Sequence, residues 1–241
     1  MRDDRQTISG NPADIDTLLP RVSVVVPAIN ESANLPHVLP RIPVSVKEVL
    51  LVDGHSSDDT ATVALKYHPK VRVIFQKGKG KGDALRSGFG EASGDLIVTL
   101  DADGSMRPEE IPHFLEALAN GYDFAKGTRF KGNAGSSDME GHRVFGNRML
   151  AKITNLLHGT KYTDVTYGYN AFWKRCLGKV ELRSNGFDIE TETAIRFKKA
   201  KLKIIEIPSY EDARINGKAN LHSLRDGWYI LKAILKELVR K

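Results

Sequence analysis

Two aspartates flank a single alanine in Asp101-Ala-Asp103-Gly-Ser105, directly after an apolar run that ends at Leu100. Inside a strand, carboxylates at i and i+2 point to the same face; just past a strand end, where the chain leaves the pleat, both can also turn toward one divalent cation. An oxygen-only donor set suits Mg²⁺ or Mn²⁺, and such an ion fills its remaining shell with water and substrate phosphates. The pattern therefore outlines a site for a metal-bridged diphosphate. Two other apolar runs end in polar groups of the same kind, Pro27-Ala-Ile-Asn-Glu31 and Asp53-Gly-His-Ser-Ser-Asp58. The basic stretch Lys77–Gly82 has neither G-K-[ST] nor GxGxxG, so Walker and Rossmann readings fail, and a solvated basic loop is the alternative to a phosphate loop. His55, His142 and His158 lack a second histidine at ligand spacing, and the reading for them is ordinary polar or capping residues.

Strand ends can gather these groups only if the strands run side by side. From Arg21 onward, short β-branched runs alternate with amphipathic stretches, which signals βαβ units and a largely parallel sheet. Strands are expected at Val22–Val26, Val46–Val52, Val71–Phe75, Asp95–Leu100 and Tyr122–Ala125, with helices at Ala33–Leu39, Asp58–Tyr67, Asp83–Ala92 and Pro108–Ala119. Asp58 suits a helix N-cap, and Pro108 with Glu109 and Glu110 suits a first turn. In an open parallel sheet, ligands bind in the crevice beyond the carboxyl ends of the strands. The second half is less regular: a Gly/Ser/Asn-rich loop from Gly127 to Gly141, a helix over Arg143–Leu157, a strand near Thr166–Phe172, a helix over Ile189–Lys199, a strand at Leu202–Ile207 and a last helix from Leu221 to Val239. Residues 1–20 read as a polar tail or a loosely docked arm. Tyr167, Tyr169, Phe172 and Trp173 read as core more than as a sugar platform.

Composition narrows the classes. With 241 residues, 41% hydrophobic and 27% charged, the chain can bury a sizeable core and is neither fibrous nor disordered. The net charge of +6 favours anionic partners, but no zinc finger spacing, RNP pattern or basic zipper is present, so no nucleic-acid partner is expected. No apolar run reaches membrane-span length and the N-terminus does not read as a signal peptide, so the expected location is cytoplasmic or peripheral on the cytoplasmic membrane face. The single cysteine, Cys176, reads as a packing residue.

Taken in order, VVVPAINE (24–31), VDGHSSDDT (52–60), KGKGKGDALRSG (77–88), DADGS (101–105), GTRF (127–130) and EIPSYEDARINGKANL (206–221) resemble family 2 glycosyltransferases of GT-A fold, and within them the dolichyl-phosphate mannosyltransferase-like, polyprenyl-phosphate glycosyltransferase branch. The resemblance covers about residues 21–227. It implies a GT-A-like three-layer α/β/α sandwich with a mostly parallel central sheet over residues 21–220; the spacing of apolar and basic residues beyond it reads as a basic amphipathic helix over 221–241. It also implies an inverting, metal-dependent enzyme that moves one sugar from a GDP- or UDP-sugar to a polyprenyl phosphate. Position by position, Pro27, Ile29 and Glu31 would flank the nucleotide, with Asp53 on the base or ribose. Asp101, Asp103 and Ser105 would bind the Mg²⁺ or Mn²⁺, Arg129 and Arg214 would approach the phosphates, and Lys81 and Gly82 would close over the nucleotide. Glu190 and Glu192 would lie near the acceptor.

The chemistry agrees with that carry-over. Loss of a nucleoside diphosphate builds negative charge on the leaving oxygen, which a metal and arginines stabilise. A hydroxyl acceptor needs a general base, for which Asp188, Glu190 and Glu192 are candidates; a phosphate acceptor does not. Departures from the family pattern leave the donor base, the sugar and the acceptor open: Gly54 and His55 follow Asp53, Asn220 stands in place of the customary lysine, and Tyr167 and Asn170 replace Ser and Arg in the segment that begins at Asp164. A soluble hydroxyl acceptor, or a catalytically silent nucleotide-sugar-binding subunit, stays as the alternative. In the last helix, Leu221, Leu224, Trp228, Leu231, Leu235 and Leu238 form one apolar stripe beside Lys232, Lys236, Arg240 and Lys241. Such a helix packs on its own domain, on a second subunit in a homo-oligomer, or on an anionic membrane.

Overall fold

The β-branched runs build a seven-stranded sheet in the computed structural model, which describes residues 20–218 and 223–240. The expected tail over residues 1–19, and Asn220 and Leu221 of the last motif, lie outside the described residues. The strands are β1 (Val22–Ala28), β2 (Glu48–Asp53), β3 (Arg72–Phe75), β4 (Leu96–Thr99), β5 (Phe124–Thr128), β7 (Asn170–Trp173) and β8 (Ile204–Pro208), in the order β3-β2-β1-β4-β7-β5-β8. A two-stranded parallel ribbon pairs β6 (Gly135–Ser136) with β9 (Tyr210–Glu211). The helices are α1 (Leu35–Val38), α2 (Thr60–Tyr67), α3 (Lys81–Glu91), α4 (Ile111–Ala119), α5 (Gly141–His158), α6 (Ile189–Lys199) and α7 (Ser223–Val239).

Three layers follow from strand alternation. In β1 and β2, Val24, Val26, Val49 and Leu51 turn to one core with Leu35 and Val38 of α1 and Phe114 and Leu118 of α4. Val25, Leu50 and Val52 turn to the other core with Leu85 and Phe89 of α3, Leu150 of α5, Ile195 and Phe197 of α6, and Ile230 and Ile234 of α7. Both faces are covered, which is why these strands are apolar throughout. Tyr167, Tyr169, Phe172 and Cys176 are buried as the packing reading expects.

Three expectations are corrected. The strand expected over Thr166–Phe172 forms only from Asn170 and runs antiparallel between β4 and β5, so β4 and β5 are not neighbours; residues 164–169 instead fold as a buried turn over the cleft floor. The strand expected from Leu202 starts only at Ile204 and ends, as expected, at Pro208, which the edge position of β8 allows. The helix expected from Asp83 starts at Lys81, because Gly80 takes a left-handed φ of 90° and caps it.

The stripe expected to seat α7 is not the face that packs. Ile230, Ala233 and Ile234 are buried together with Asp226 and Glu237, while Trp228, Leu235 and Leu238 are exposed. Glu237 is paired with Arg196 of α6 at 2.7 Å, and the His158 ring of α5 bonds the Ile234 carbonyl at 2.9 Å. α7 therefore docks on its own domain through a face that contains charges; of its apolar stripe, Leu231 is half-buried against the core while Trp228, Leu235 and Leu238 stay outside.

Candidate active site

The carboxyl ends of β1, β2 and β4, with α5, α7 and the segment after β9, enclose a cleft of about 1120 Å³. Pro27, Ile29 and Glu31 line one end with Gly54, His55 and Gln76; Asp101, Asp103 and Ser105 line its middle. Ser105 donates to Asp103 Oδ1 from both its backbone N–H (3.0 Å) and its hydroxyl (2.8 Å), which fixes that carboxylate. The segment after β9 crosses the same turn: the Asp212 N–H donates to the Ser105 carbonyl at 2.8 Å and the Ile215 N–H to the Asp103 carbonyl at 3.2 Å. That crossing delivers Arg214, whose Nη1 lies 3.3 Å from Asp103 Oδ2 while Nη2 donates to both Glu31 oxygens at 2.6 Å. Burial pushes the Glu31 carboxyl above its usual range, and the Arg214 and Asn34 hydrogen bonds only partly oppose this.

The first aspartate is held by a different cation. Lys81, the first residue of α3, places Nζ 2.7 Å from Asp101 Oδ1 and 2.9 Å from Glu190 Oε1. Burial acts to depress the Lys81 ammonium, but the two carboxylates outweigh it and hold the lysine above its ordinary range. Glu190 is itself buried, and desolvation raises its carboxyl despite the Lys81 partner. Gly168 makes room for the pair: a Cβ there would sit 2.8 Å from Lys81 Nζ and 3.2 Å from Glu190 Oε1.

Arg129 reaches the cleft wall from the end of β5, fully engaged. It donates from Nε and Nη2 to Asp164 (2.8 and 3.1 Å), from Nη1 to Glu211 (3.1 Å to each oxygen) and from Nη2 to the Thr166 hydroxyl (2.9 Å), and its guanidinium lies over the Tyr167 ring. Burial opposes the Asp164 carboxyl's ionisation, yet Arg129 outweighs it and holds that group well below the carboxylate range. Asn147 of α5 adds a donor to Asp164 at 3.0 Å.

Asp101, Asp103, Ser105, Lys81, Glu190, Arg214, Glu31 and Arg129 are thus brought together around one cleft. Four other expected residues sit elsewhere. Asp53 is buried behind Gly54, its Oδ1 accepting the Ser56 N–H at 2.6 Å, so it shapes the turn that carries His55. Gly82 packs on the backbone of Ser184, which a Cβ would meet at 2.2 Å, and donates its N–H to the Asn185 carbonyl at 2.8 Å. Glu192 accepts the N–H groups of Arg183 and Ser184 and pairs with Arg240, buttressing the turn on which Gly82 rests. Asp188 stands at the start of α6 and accepts the Gly186 N–H at 3.2 Å, outside the cleft. The site residues that sequence reasoning passed over are Asp164, Asn147, Thr166, Glu211 and Gly168. Asp164, Thr166 and Gly168 lie in a segment matched to the family and Glu211 in the last motif, which were the available signals; Asn147 meets them only through the fold.

A carboxylate pair, two arginines and a lysine thus gather at the carboxyl ends of the strands of an open α/β sheet. The family itself follows from comparison: the sequence profile of Glycosyl transferase family 2 matches residues 23–180, and the chain belongs to that family. Glycosyltransferase AglJ of Haloferax volcanii is 31% identical over 212 residues, covering 87% of this chain and 69% of that protein. The dolichol-phosphate mannosyltransferase of Pyrococcus furiosus is 33% identical over 216 residues, covering 83% of this chain, which spans only 59% of the relative. The crystal structure of glucosyl-3-phosphoglycerate synthase from Mycobacterium tuberculosis with Mn²⁺, UDP-glucose and phosphoglyceric acid superposes with a TM-score of 0.75 at 22% identity, over 93% of this chain and 82% of that one. The fold is thus GT-A-like, as the motif order implied. Among the described residues no helix is long and apolar enough to cross a membrane.

Proposed function

We propose that this family 2 glycosyltransferase transfers a single sugar, with inversion, from a nucleotide-sugar to a polyprenyl phosphate. The observation that carries the donor half is the pairing of each aspartate of the DAD turn with its own cation, Asp101 with Lys81 and Asp103 with Arg214. Both carboxylates are partly exposed in the cleft, and no third carboxylate or histidine joins them in a metal cage among the described residues. A donor set of two hard oxygens fits Mg²⁺ or Mn²⁺ that completes its shell with diphosphate oxygens and water. When bound, that ion supplies electrophilic stabilisation of the leaving diphosphate. The residues of the chain do the rest. Ser105 holds Asp103 in orientation, and Arg214 and Lys81 stand where they can exchange a carboxylate partner for a phosphate. The Pro27–Glu31 end with His55 and Gln76 accommodates the nucleoside.

The acceptor half is supported by the state of the three base candidates. Asp188 and Glu192 lie outside the cleft and Glu190 is tied to Lys81, so none stands free as a base, and an already anionic phosphate oxygen requires none. The names of the relatives agree. Peripheral contact with a membrane surface, where such a lipid resides, belongs to the same reading. One observation favours a hydroxyl acceptor as a second reading: Glu190, buried behind the cleft-lining Lys81, carries a raised carboxyl, as a general base would. The test is transfer of radiolabelled sugar from GDP- and UDP-sugars to a short-chain polyprenyl phosphate, with Mg²⁺, Mn²⁺ or chelator. Metal-dependent formation of a lipid-phosphate sugar is the expected result; product only with a hydroxyl acceptor, and its loss in Glu190→Gln, would replace the first reading by the second.

A further inference from the structure

Beneath the turn over residues 164–169 lies a lysine that is not part of the cleft lining. Lys126 of β5 is fully buried. It shares a sheet face with Phe124 and, across the β5–β7 ladder, with its register partner Asn170 and with Phe172. Its Nζ donates to the Tyr167 carbonyl at 3.5 Å and to the Gly127 carbonyl at 3.3 Å. A lysine is almost never fully buried without a carboxylate partner, and Lys81, Arg129 and Arg214 of this site each have one. Lys126 forms no ion pair among the described residues. Asp164 and Glu206 favour its charged form, yet burial outweighs them and pushes the amine below its ordinary range. Lys126 thus acts as a donor to two carbonyls and not as a counter-ion.

The Tyr167 carbonyl matters because of the residue that follows it. Gly168 lies so close to Lys81 Nζ and Glu190 Oε1 that a Cβ would sit 2.8 and 3.2 Å from them. The peptide between Tyr167 and Gly168 therefore sets the space in which Lys81 meets Asp101 at 2.7 Å and Glu190 at 2.9 Å. The Gly168 carbonyl is fixed by the Thr99 hydroxyl at 2.5 Å, and the Tyr169 carbonyl by the Gly127 N–H at 2.8 Å. The Tyr167 carbonyl is left to Lys126 and, at 3.4 Å, to the Asn170 amide. Asn170 stands where the family pattern has arginine, and its own Oδ1 is buried without a partner. Across this register pair a short amide on β7 faces a long donor on β5, so in this chain the basic side chain of the pair comes from β5.

We propose that Lys126 is a positioning residue for the donor site: its hydrogen bond fixes the Tyr167–Gly168 peptide, and that peptide keeps Lys81 on Asp101. The inference rests on the donor half of the proposed function and not on the acceptor. Its test is the Kd of GDP or UDP, whichever binds the full chain, measured with and without Mn²⁺. Lys126→Met should weaken binding with Mn²⁺ on the order of tenfold, the worth of about one hydrogen bond. Its Kd without Mn²⁺ should be unchanged, and Tm should hold or rise, because an apolar chain replaces a buried amine. Lys126→Met/Asn170→Arg, which supplies a basic donor from the facing strand, should recover most of the loss. Thr99→Val is nearly isosteric and removes only the hydroxyl on the Gly168 carbonyl; it should weaken Mn²⁺-dependent binding in the same sense, a second readout should Lys126→Met fold poorly. Full affinity in either single variant, a loss equal with and without Mn²⁺, or no recovery in the double variant overturns the role of Lys126 alone. Absence of any Mn²⁺-dependent nucleotide binding by the unaltered chain would instead remove the donor reading and the inference with it. A tenfold loss in a chain that transfers sugar to no acceptor upholds the inference and removes only the acceptor half.

Discussion

Replacing Lys81 by methionine removes the cation shared by Asp101 and Glu190 while roughly keeping its volume. Glu190 is 4% exposed, so in the variant its carboxylate is buried without a counter-ion, whereas Asp101 remains partly solvated. Breaking a buried pair from one side costs about 3–5 kcal/mol, and the solvation of Asp101 places this case near 3 kcal/mol. Glu190 can escape by taking up a proton. Holding a carboxyl neutral costs about 1.4 kcal/mol for each pH unit above its unfolded value near 4.3, hence about 5 kcal/mol at pH 8 but only about 1.6 at pH 5.5. The sign follows from a carboxyl whose folded pKa lies above its unfolded one: its contribution is most favourable below the unfolded value and is lost as pH rises through the folded value. Lys81→Met should therefore lose about 3 kcal/mol at pH 8 and no more than about half that at pH 5.5. Adding Glu190→Gln should restore most of the loss at pH 8. Urea unfolding of the three proteins at the two pH values measures this. An equal loss at both pH values, or a double variant no more stable than the single one, would show that Glu190 is not the group left uncompensated.

Asp103→Asn should abolish the metal-dependent part of nucleotide stabilisation. A nucleoside diphosphate at about 100 times its dissociation constant adds roughly 2.7 kcal/mol to the native protein, so a thermal shift with Mn²⁺ retained in the variant would remove Asp103 from the metal site. Arg129→Met leaves the buried Asp164 without its paired guanidinium, held by Asn147 and the Thr166 and Tyr167 N–H groups, and should cost about 4 kcal/mol. In the native protein Asp164 titrates far below the carboxylate range, so its stabilisation is complete above about pH 4 and is lost only as pH falls toward the folded value. The acid midpoint followed by circular dichroism should then move upward in Arg129→Met, and an unchanged midpoint would contradict the assigned pairing. Gly168→Ala places a Cβ 2.8 Å from Lys81 Nζ, the free end of a flexible chain. Stability should change by less than about 1 kcal/mol while kcat/KM falls on the order of a hundredfold from a displaced lysine; a large drop in Tm with activity preserved would oppose this.

What could be read from the chain beforehand depended on distance along it. The DAD turn was legible because both carboxylates and the strand that delivers them occupy a few consecutive residues. The first four crossovers were legible because β-branched runs and amphipathic stretches alternate without interruption. Lys81, Glu190, Glu31 and Arg214 were each named, but for separate places around a ligand. That they pair with one another and with the two aspartates is a property of strand order, which brings α3, β4 and α6 to one edge of the cleft. The direction of β7 was hidden for a related reason: alternation records which face a side chain takes and carries no sign of which way the strand runs.

The last helix shows how a hydropathy pattern can select the wrong face. Its buried side contains Asp226 and Glu237, which a periodicity count places on the solvent side, and the fold can bury Glu237 because Arg196 supplies the opposite charge at 2.7 Å. An ion pair that unites α6 and α7 is invisible to a reading of either helix alone. The count instead finds Trp228, Leu231, Leu235 and Leu238. The packing face is formed by Ile230, Ala233 and Ile234 with Leu231 half-buried beside them, which leaves Trp228 at the cleft and Leu235 and Leu238 exposed.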